Sequence, residues 1–323
     1  MITTGITIGI DIGGTNIVAA LVSSDGQVLA RHTIATEAQR GPQSGMQRIG
    51  DLVETLLRET EKSRVSGIGI GCTGPLDSER GRIQNPYTLP TWDDVPLVEA
   101  LEARFGLRAY LIHDCAAAAL GEHWVGAGRG ARHMIYITIG TGIGAGFILD
   151  GRLHRGLGLL SGEVGHTVID LNGPACYCGA RGCWEMFAAA PAIARRAAER
   201  APADSLLLRL ANRQRDAISA RLVRQAADAG DPLANTIMDE TAFYLGVGIA
   251  NLMNIFAPEV VVIGGGVALS WDRFAPIATQ TIHARSGMMP FARMKIVQAS
   301  LGLNAGVTGA ARGLLMLRAA DEA

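Results

Sequence analysis

No sign of charge dominates this chain: 29 lysines and arginines stand against 30 aspartates and glutamates, for a net charge of −1. That balance lacks the electrostatic footprint of a general nucleic-acid binder, and no Lys/Arg cluster offers itself to an acidic membrane surface. Long apolar runs are missing too. The uncharged, mainly apolar stretch 134–149 is interrupted by four glycines and is too short for a bilayer span. The opening MITTGITIGIDIGG has no basic leader and meets Asp11 early, which argues against a signal peptide. Charged residues make up only 18%, but 48% hydrophobic residues exclude disorder. The five cysteines are few and odd in number, and three fall within 176–183. Without a secretion signal, that spacing argues for metal ligation rather than disulfides. No Ser/Gly/Pro-rich linker divides the 323 residues, a length natural for two lobes. The expectation is a cytoplasmic protein with neither nucleic acid nor membrane as partner.

Glycine is abundant, at 41 residues, and it clusters in tight turns directly after β-type runs. Residues 6–34 read as strand, turn, strand, turn, strand, and 134–156 repeat that grammar. Thr138 opens the second hairpin much as Asp11 opens the first, and the pair predicts a duplicated architecture facing one cleft. A third glycine turn, Gly264-Gly265-Gly266, follows the apolar run 260–263. Helices are expected over about 43–62, from Asp114 to somewhere in 126–130, over about 186–200, through much of 205–229, and over about 233–256 and 304–320.

The turn Asp11-Ile12-Gly13-Gly14-Thr15-Asn16 admits two readings. It is either a hairpin that needs glycine for its dihedrals, or a cradle whose N–H groups and Thr15 hydroxyl meet phosphate oxygens, with Asp11 holding Mg²⁺ directly or through water. The second turn, Gly140-Thr141-Gly142 and onward, favours the cradle. No G-x-x-x-x-G-K-[ST] string occurs, which excludes a P-loop. The string at 69–74 matches G-x-G-x-x-G, but Pro75 follows at once and no helix opens there, so it is no dinucleotide fingerprint. His166, Cys176, Cys178 and Cys183 form one imidazole and three thiolates, a closed tetrahedral set for structural Zn²⁺. Glu163 and Glu185 flank these ligands and could read a polyhydroxyl molecule, with His166 presenting its second nitrogen. Asp114, at a strand-to-helix junction, suits an N-cap, a catalytic role, or both.

Together these residues resemble the ROK family (repressors, open reading frames and kinases), in particular its glucokinase-like members. The matching strings are DIGGTN at 11–16, GCTGPLD at 71–77, HDCAAAALGE at 113–122, IGTGIGAGF at 139–147, GEVGH at 162–166, CYCGARGCWE at 176–185 and VVIGGGV at 261–267. The resemblance implies an α/β, actin-like (ribonuclease-H-like) duplicated two-lobe fold with a cleft between lobes. A small lobe over 1–120, with the helix near 304–320 packing back on it, would precede a large lobe over 121–303 carrying the zinc loop 162–185. It implies ATP- and Mg²⁺-dependent phosphorylation of a hexose at the 6-hydroxyl, with Asp114 as general base and a homodimer or homotetramer as the assembly. Asp11, Gly13, Gly14, Thr15, Asn16, Thr138, Gly140, Thr141 and Gly142 would meet the phosphates, and Gly264, Gly265 and Gly266 the adenosine side. Gly74, Thr88, His113, Glu163, His166 and Glu185 would line the sugar.

Repressor members carry a helix-turn-helix domain before the first strand. Only residues 1–5 precede it here, so no such domain is expected, and a non-catalytic sugar sensor is the alternative of another class. Two positions depart from the glucokinase-like pattern: His113 and Thr88 stand where the family usually has Asn. Both face the C3/C4 side of the sugar in that family. Glucose is the default substrate. The alternative is a hexose altered at C3 or C4, such as the amino sugar kanosamine or the epimer allose. Asn85 is the nearby amide that could replace a lost one.

Overall fold

The computed structural model describes residues 5–84, 86–157 and 161–321, with side chains through 317. Runs of Ile and Val spaced by Gly and Ala make strands that can be buried on both faces. Strands β1 (Ile6–Ile12) and β2 (Asn16–Ser23) are of this kind, while β3 (Val28–Ala35) alternates like an edge strand. The three run antiparallel. Helix α1 (Gly41–Arg58) follows, burying Ile49, Leu52, Val53 and Leu56 along one stripe. Strand β4 (Val65–Cys72) returns parallel to β1. After the small hairpin β5 (Leu76–Asp77) and β6 (Arg82–Ile83), helix α2 (Leu97–Phe105) ends on Gly106 at φ 62. Strand β7 (Ala109–His113) then pairs parallel to β4, and α3 (Asp114–Val125) begins at the next residue.

The chain then repeats the plan with β8 (Met134–Ile139), β9 (Ile143–Leu149) and β10 (Arg152–Leu153). Helices α4 (Glu185–Ala188), α5 (Ala190–Arg200), α6 (Leu206–Leu210), α7 (Ala220–Asp228) and α8 (Pro232–Phe256) come before β11 (Val260–Gly264). Helix α9 (Trp271–Arg285), β12 (Lys295–Gln298) and α10 (Ala305–Asp321) complete it. The two five-stranded sheets have the orders β3-β2-β1-β4-β7 and β10-β9-β8-β11-β12. Each places its first strand between the second and the fourth. The duplication expected from the two glycine hairpins is therefore a duplication of whole sheets.

Two compact units result, and neither is one stretch of chain. The first comprises 1–136, 145–162 and 299–323, and the second 137–144 and 163–298. In the first unit α10 lies directly on the sheet: a side chain on Gly9 would strike the Val307 carbonyl, and one on Gly69 that of Ala310. In the second, α8 is capped by Asp231, whose Oδ1 accepts from Ala234 N at 2.9 Å. Gly248 on α8 makes room for the Trp184 ring, and Trp184 Nε1 donates to the Tyr244 carbonyl at 2.9 Å.

Two helical expectations need correction. The stretch 186–200 is two helices, because Ala189 is extended (ψ 161) and Pro191 sits in the first turn of α5, where a missing N–H costs nothing. The stretch 205–229 holds α6 and α7 with a break between them, where Asn212 and Arg213 take positive φ. No helix among the described residues is long and apolar enough to cross a membrane.

Candidate active site

In the first unit, the C-terminal ends of the parallel strands gather the candidate groups. Asp11 pairs with Gly71 across β1 and β4, and Cys72 with His113 across β4 and β7. This edge of a parallel sheet is where open α/β folds bind ligands. His113 is extended (φ −61, ψ 139), and the alanine run after it turns helical at once, so Asp114 sits at the N-terminus of α3. Asp114 Oδ1 accepts from Cys115 N at 2.6 Å and lies 3.0 Å from His113 Nδ1. Both contacts fall on Oδ1 rather than on Oδ2. Its side chain is 33% exposed. Burial would raise the Asp114 carboxyl, but the His113 charge and the hydrogen bonds from His113 and Cys115 outweigh it and hold the group below its ordinary value. Asp114 is thus a carboxylate at neutral pH.

Asp11 behaves in the opposite way. Burial, and after it the negative charge of Asp114, pushes its carboxyl up to about 7. Gly306, near the start of α10, leaves space that the Asp11 carboxylate fills. A cation beside these two carboxyls would favour the ionised form of Asp11, and Mg²⁺ suits oxygen ligands of this kind.

The turn after Asp11 is held from behind. Gly13 N donates to the Asn16 carbonyl at 3.0 Å, and Thr36 Oγ1 donates to the Gly13 carbonyl at 2.6 Å. Thr36 N donates to the Thr15 carbonyl at 2.8 Å. Gly14, Thr15 and Asn16 remain exposed. Thr88 packs against Gly14, and its hydroxyl is 3.4 Å from that of Thr73. Gly74 follows Thr73 and joins Pro75 through a cis bond. Asn85 lies outside the described residues. Thr36 and Thr73 escaped the sequence reading because an isolated threonine carries no spacing signal.

The second unit holds the other glycine turns. Gly140 N donates to the Gly142 carbonyl at 2.9 Å, and the Gly140 carbonyl accepts from Ala190 N at 2.8 Å. Thr138 precedes them on β8, and Thr141 is exposed at the tip. Gly265 has φ 88, and a Cβ there would sit 2.5 Å from the Ile139 carbonyl oxygen. The turn 264–266 is therefore stacked against the end of β8, beside the turn 140–142.

His166 and the three cysteines come together as expected, with all four ligand atoms within 4.8 Å of one another. His166 Nδ1 is 3.6 Å from Cys176 Sγ, and Cys178 Sγ is 3.6 Å from Cys183 Sγ. Bonds of ordinary length to one tetrahedral Zn²⁺ would separate N and S by about 3.6 Å and two sulfurs by about 3.8 Å, so the donor set fits. Gly179 at φ 93 and the bond from Cys176 N to the Ala180 carbonyl at 2.8 Å make the tight knuckle. Glu185 starts α4 almost fully buried, its Oε1 3.6 Å from His166 Nδ1 and its Oε2 so placed that a side chain on Gly142 or Gly165 would crowd it. Glu163 Oε2 is 4.0 Å from His166 Nε2. The imidazole thus turns Nδ1 toward the sulfurs and Nε2 toward Glu163. Tyr177 also reaches Nε2, at 3.4 Å, and was not singled out by the sequence reading.

The ROK family matches this chain over residues 7–316. The glucokinase of Thermotoga maritima is 37% identical over 94% of this chain and 95% of its own length. A ROK family glucokinase from Streptomyces griseus, solved in complex with glucose and AMPPNP, superposes with a TM-score of 0.83 at 33% identity, covering 95% of this chain and 98% of that one. The xylose repressor of Caldicellulosiruptor bescii is 31% identical over 94% of this chain and 77% of its own length. With the repeated sheet order, these likenesses give the α/β, actin-like sugar-kinase fold expected from the sequence.

Proposed function

Because this chain belongs to the ROK family, we propose that it is an ATP-dependent kinase acting on the 6-hydroxyl of a hexose. The observation that carries the reading is Asp114: a carboxylate kept ionised at a helix N-terminus, its contacts with His113 and Cys115 both on Oδ1. Relatives named as glucokinases, alike over nearly the whole chain, support sugar phosphorylation as the class of reaction.

In this reading Asp114 accepts the proton of the 6-hydroxyl as that oxygen attacks the γ-phosphorus. The transition state is loose, so the protein's task is positioning and neutralising charge. Gly13 and Gly140, whose own N–H groups are engaged inside their turns, shape the two cradles, and the N–H groups of Gly14 and Gly142 with the hydroxyls of Thr15, Thr138 and Thr141 serve the phosphates, Asn16 adding its amide. Gly264 to Gly266 face the adenosine side. Asp11 would hold Mg²⁺ that comes with ATP, directly or through water, and the ion would supply positive charge to the phosphates. Glu163, His166 and Glu185 bind sugar hydroxyls, with Gly74, Thr88 and His113 completing the sugar subsite. Zn²⁺ on His166, Cys176, Cys178 and Cys183 supplies rigidity to that loop, its four ligands leaving no open position for chemistry. A cytoplasmic homodimer or homotetramer accompanies this reading.

A second reading changes only the sugar. His113 has its Nδ1 engaged with Asp114 and Thr88 carries a hydroxyl, so neither offers the donor-plus-acceptor amide of the family's usual Asn. That chemistry favours a hexose altered at C3 or C4, such as kanosamine or allose.

The deciding measurement is a phosphorylation assay with MgATP across glucose, mannose, allose, glucosamine, kanosamine and N-acetylated hexosamines, with NMR of the product to locate the phosphate. Glucose with the highest kcat/KM supports the first reading, and an altered hexose at least ~10-fold above it supports the second. Phosphate on any oxygen other than that at C6 overturns both.

A further inference from the structure

Glu122, on the last turn of α3, has no exposed surface, and no step of the proposed reaction uses it. A carboxylate so placed is costly unless hydrogen bonds replace the lost water. Here four donors do so. Ala127 N and Ser300 N reach Oε2 at 2.7 and 3.2 Å, and the Ser300 hydroxyl reaches it at 3.2 Å. Leu301 N reaches Oε1 at 2.8 Å. Gly126 packs directly on the group, since a side chain there would strike Oε2. Three of the four bonds thus fall on Ser300 and Leu301, which belong to the same compact unit as α3.

From Leu301 the path to Asp11 is short and stiff. The Leu301 carbonyl accepts from Asn304 N at 3.0 Å, and the Gly302 carbonyl accepts from Ala305 N. Gly302, at φ 54, permits this tight turn. Helix α10 starts at Ala305. Its next residue, Gly306, lies against Asp11, whose Oδ2 a side chain at 306 would strike. Gly121, beside Glu122, closes the same corner, because a Cβ there would sit 2.5 Å from the Ala305 carbonyl oxygen. The start of α10 is therefore one wall around the Asp11 carboxyl, and Glu122 ties α3 to the turn that leads into it.

Resting on the reading of Asp11 as the residue that holds Mg²⁺, we propose that Glu122 is a positioning residue for that carboxyl. By fixing Ser300 and Leu301 it fixes the first turn of α10, and with it the space in which Asp11 is held. An amide in its place cannot serve all four donors. Even with its oxygen at the Oε2 position, it turns an N–H toward Leu301 N. The unpaired donor favours an opened arrangement of 300–306 in which water takes its place. Asp11 then loses its wall, its carboxyl samples more orientations, and a cation there is held less tightly.

Glu122→Gln keeps the size of the side chain, and Ser300→Ala is a milder variant that deletes only the hydroxyl donor. We expect amides of 300–307 to exchange hydrogen about tenfold faster in Glu122→Gln, with β1 and β4 at their wild-type rates. Titration with Mn²⁺ alone, followed by water-proton relaxation, should show an Asp11-dependent site that is several-fold weaker in the variant. In the phosphorylation assay the Mg²⁺ needed for half-maximal rate should rise by a similar factor, with the hexose KM within about twofold of wild type. Ser300→Ala should move each quantity the same way and less. Equal Mn²⁺ affinity in wild type and both variants overturns the proposal even where Tm falls, because Glu122 would then support the fold alone. A hexose KM that rises in step with the Mg²⁺ requirement also overturns it, since the whole unit would have loosened. So does Mn²⁺ binding that Asp11→Asn leaves untouched, which removes Asp11 as the cation's ligand. Should no hexose turn over, the kinase reading fails by itself, and the Mn²⁺ titrations with the exchange rates decide the role of Glu122.

Discussion

Asp11 and Asp114 titrate in opposite directions, and the sign of each has a measurable effect on stability. For Asp114, held low, the stabilisation is present above the unfolded-state pKa and is lost as pH falls through the folded one. For Asp11, raised from 3.8 to about 7, the unfolded chain releases its proton first, so stability falls as pH climbs from about 4 toward 7. Asp11→Asn removes that loss. Without added Mg²⁺, the variant should gain Tm over wild type progressively between pH 5 and pH 8. Melting curves that shift in parallel across this range would show that Asp11 ionises freely in the fold. At this scale the sequence was readable where a residue came with spacing: Asp11 before two glycines, or Cys176, Cys178 and Cys183. Tyr177 and Thr36 became visible only through their contacts, because a lone phenol or hydroxyl has no pattern to betray it.

Among the elements, the zinc loop is where local chemistry and binding are most tightly joined. His166, which would serve both metal and sugar, and Glu185, which touches its imidazole, are fixed by the same short stretch of chain. Purified protein should carry about one Zn²⁺ per chain by elemental analysis. Cys178→Ser should lower metal content and Tm and raise the sugar KM, while leaving the ATP KM near its wild-type value. A zinc-depleted variant with undiminished sugar affinity would separate the metal from the sugar subsite. Helix α8, bounded by Pro232 and Pro258, could be placed from sequence almost to its ends, whereas the apolar stripe of α1 located that helix but carried its expected end past Arg58. The breaks after α4 and α6 could not be placed, because alanine-rich and arginine-rich stretches look helical whether or not a residue such as Asn212 adopts positive φ. Strand β12, four partly exposed residues, lacks the apolar alternation that marks its neighbours.

For the molecule as a whole, the fold narrows function without choosing it, because kinases and repressors of one family match this chain over the same span. The duplicated hairpins announced two similar halves. They could not show that β4, β7, β11 and β12 extend both sheets in the same order, since parallel pairing joins segments far apart in sequence. What distinguishes a catalyst from a sensor is a single group. A sensor needs sugar contacts but no proton acceptor, whereas phosphoryl transfer from a hydroxyl needs both. Asp114→Asn keeps the size and the Oδ1 acceptor for Cys115 N, and α3 should start where it does now. It removes the charge that takes the proton. We therefore expect kcat to fall at least ~10²-fold, the usual contribution of a positioned general base, with sugar affinity by calorimetry changed by less than about threefold. Turnover close to wild type would reduce Asp114 to a helix-terminal residue. Wild-type protein that binds hexoses tightly and transfers phosphate to none of them would make the chain a sugar sensor.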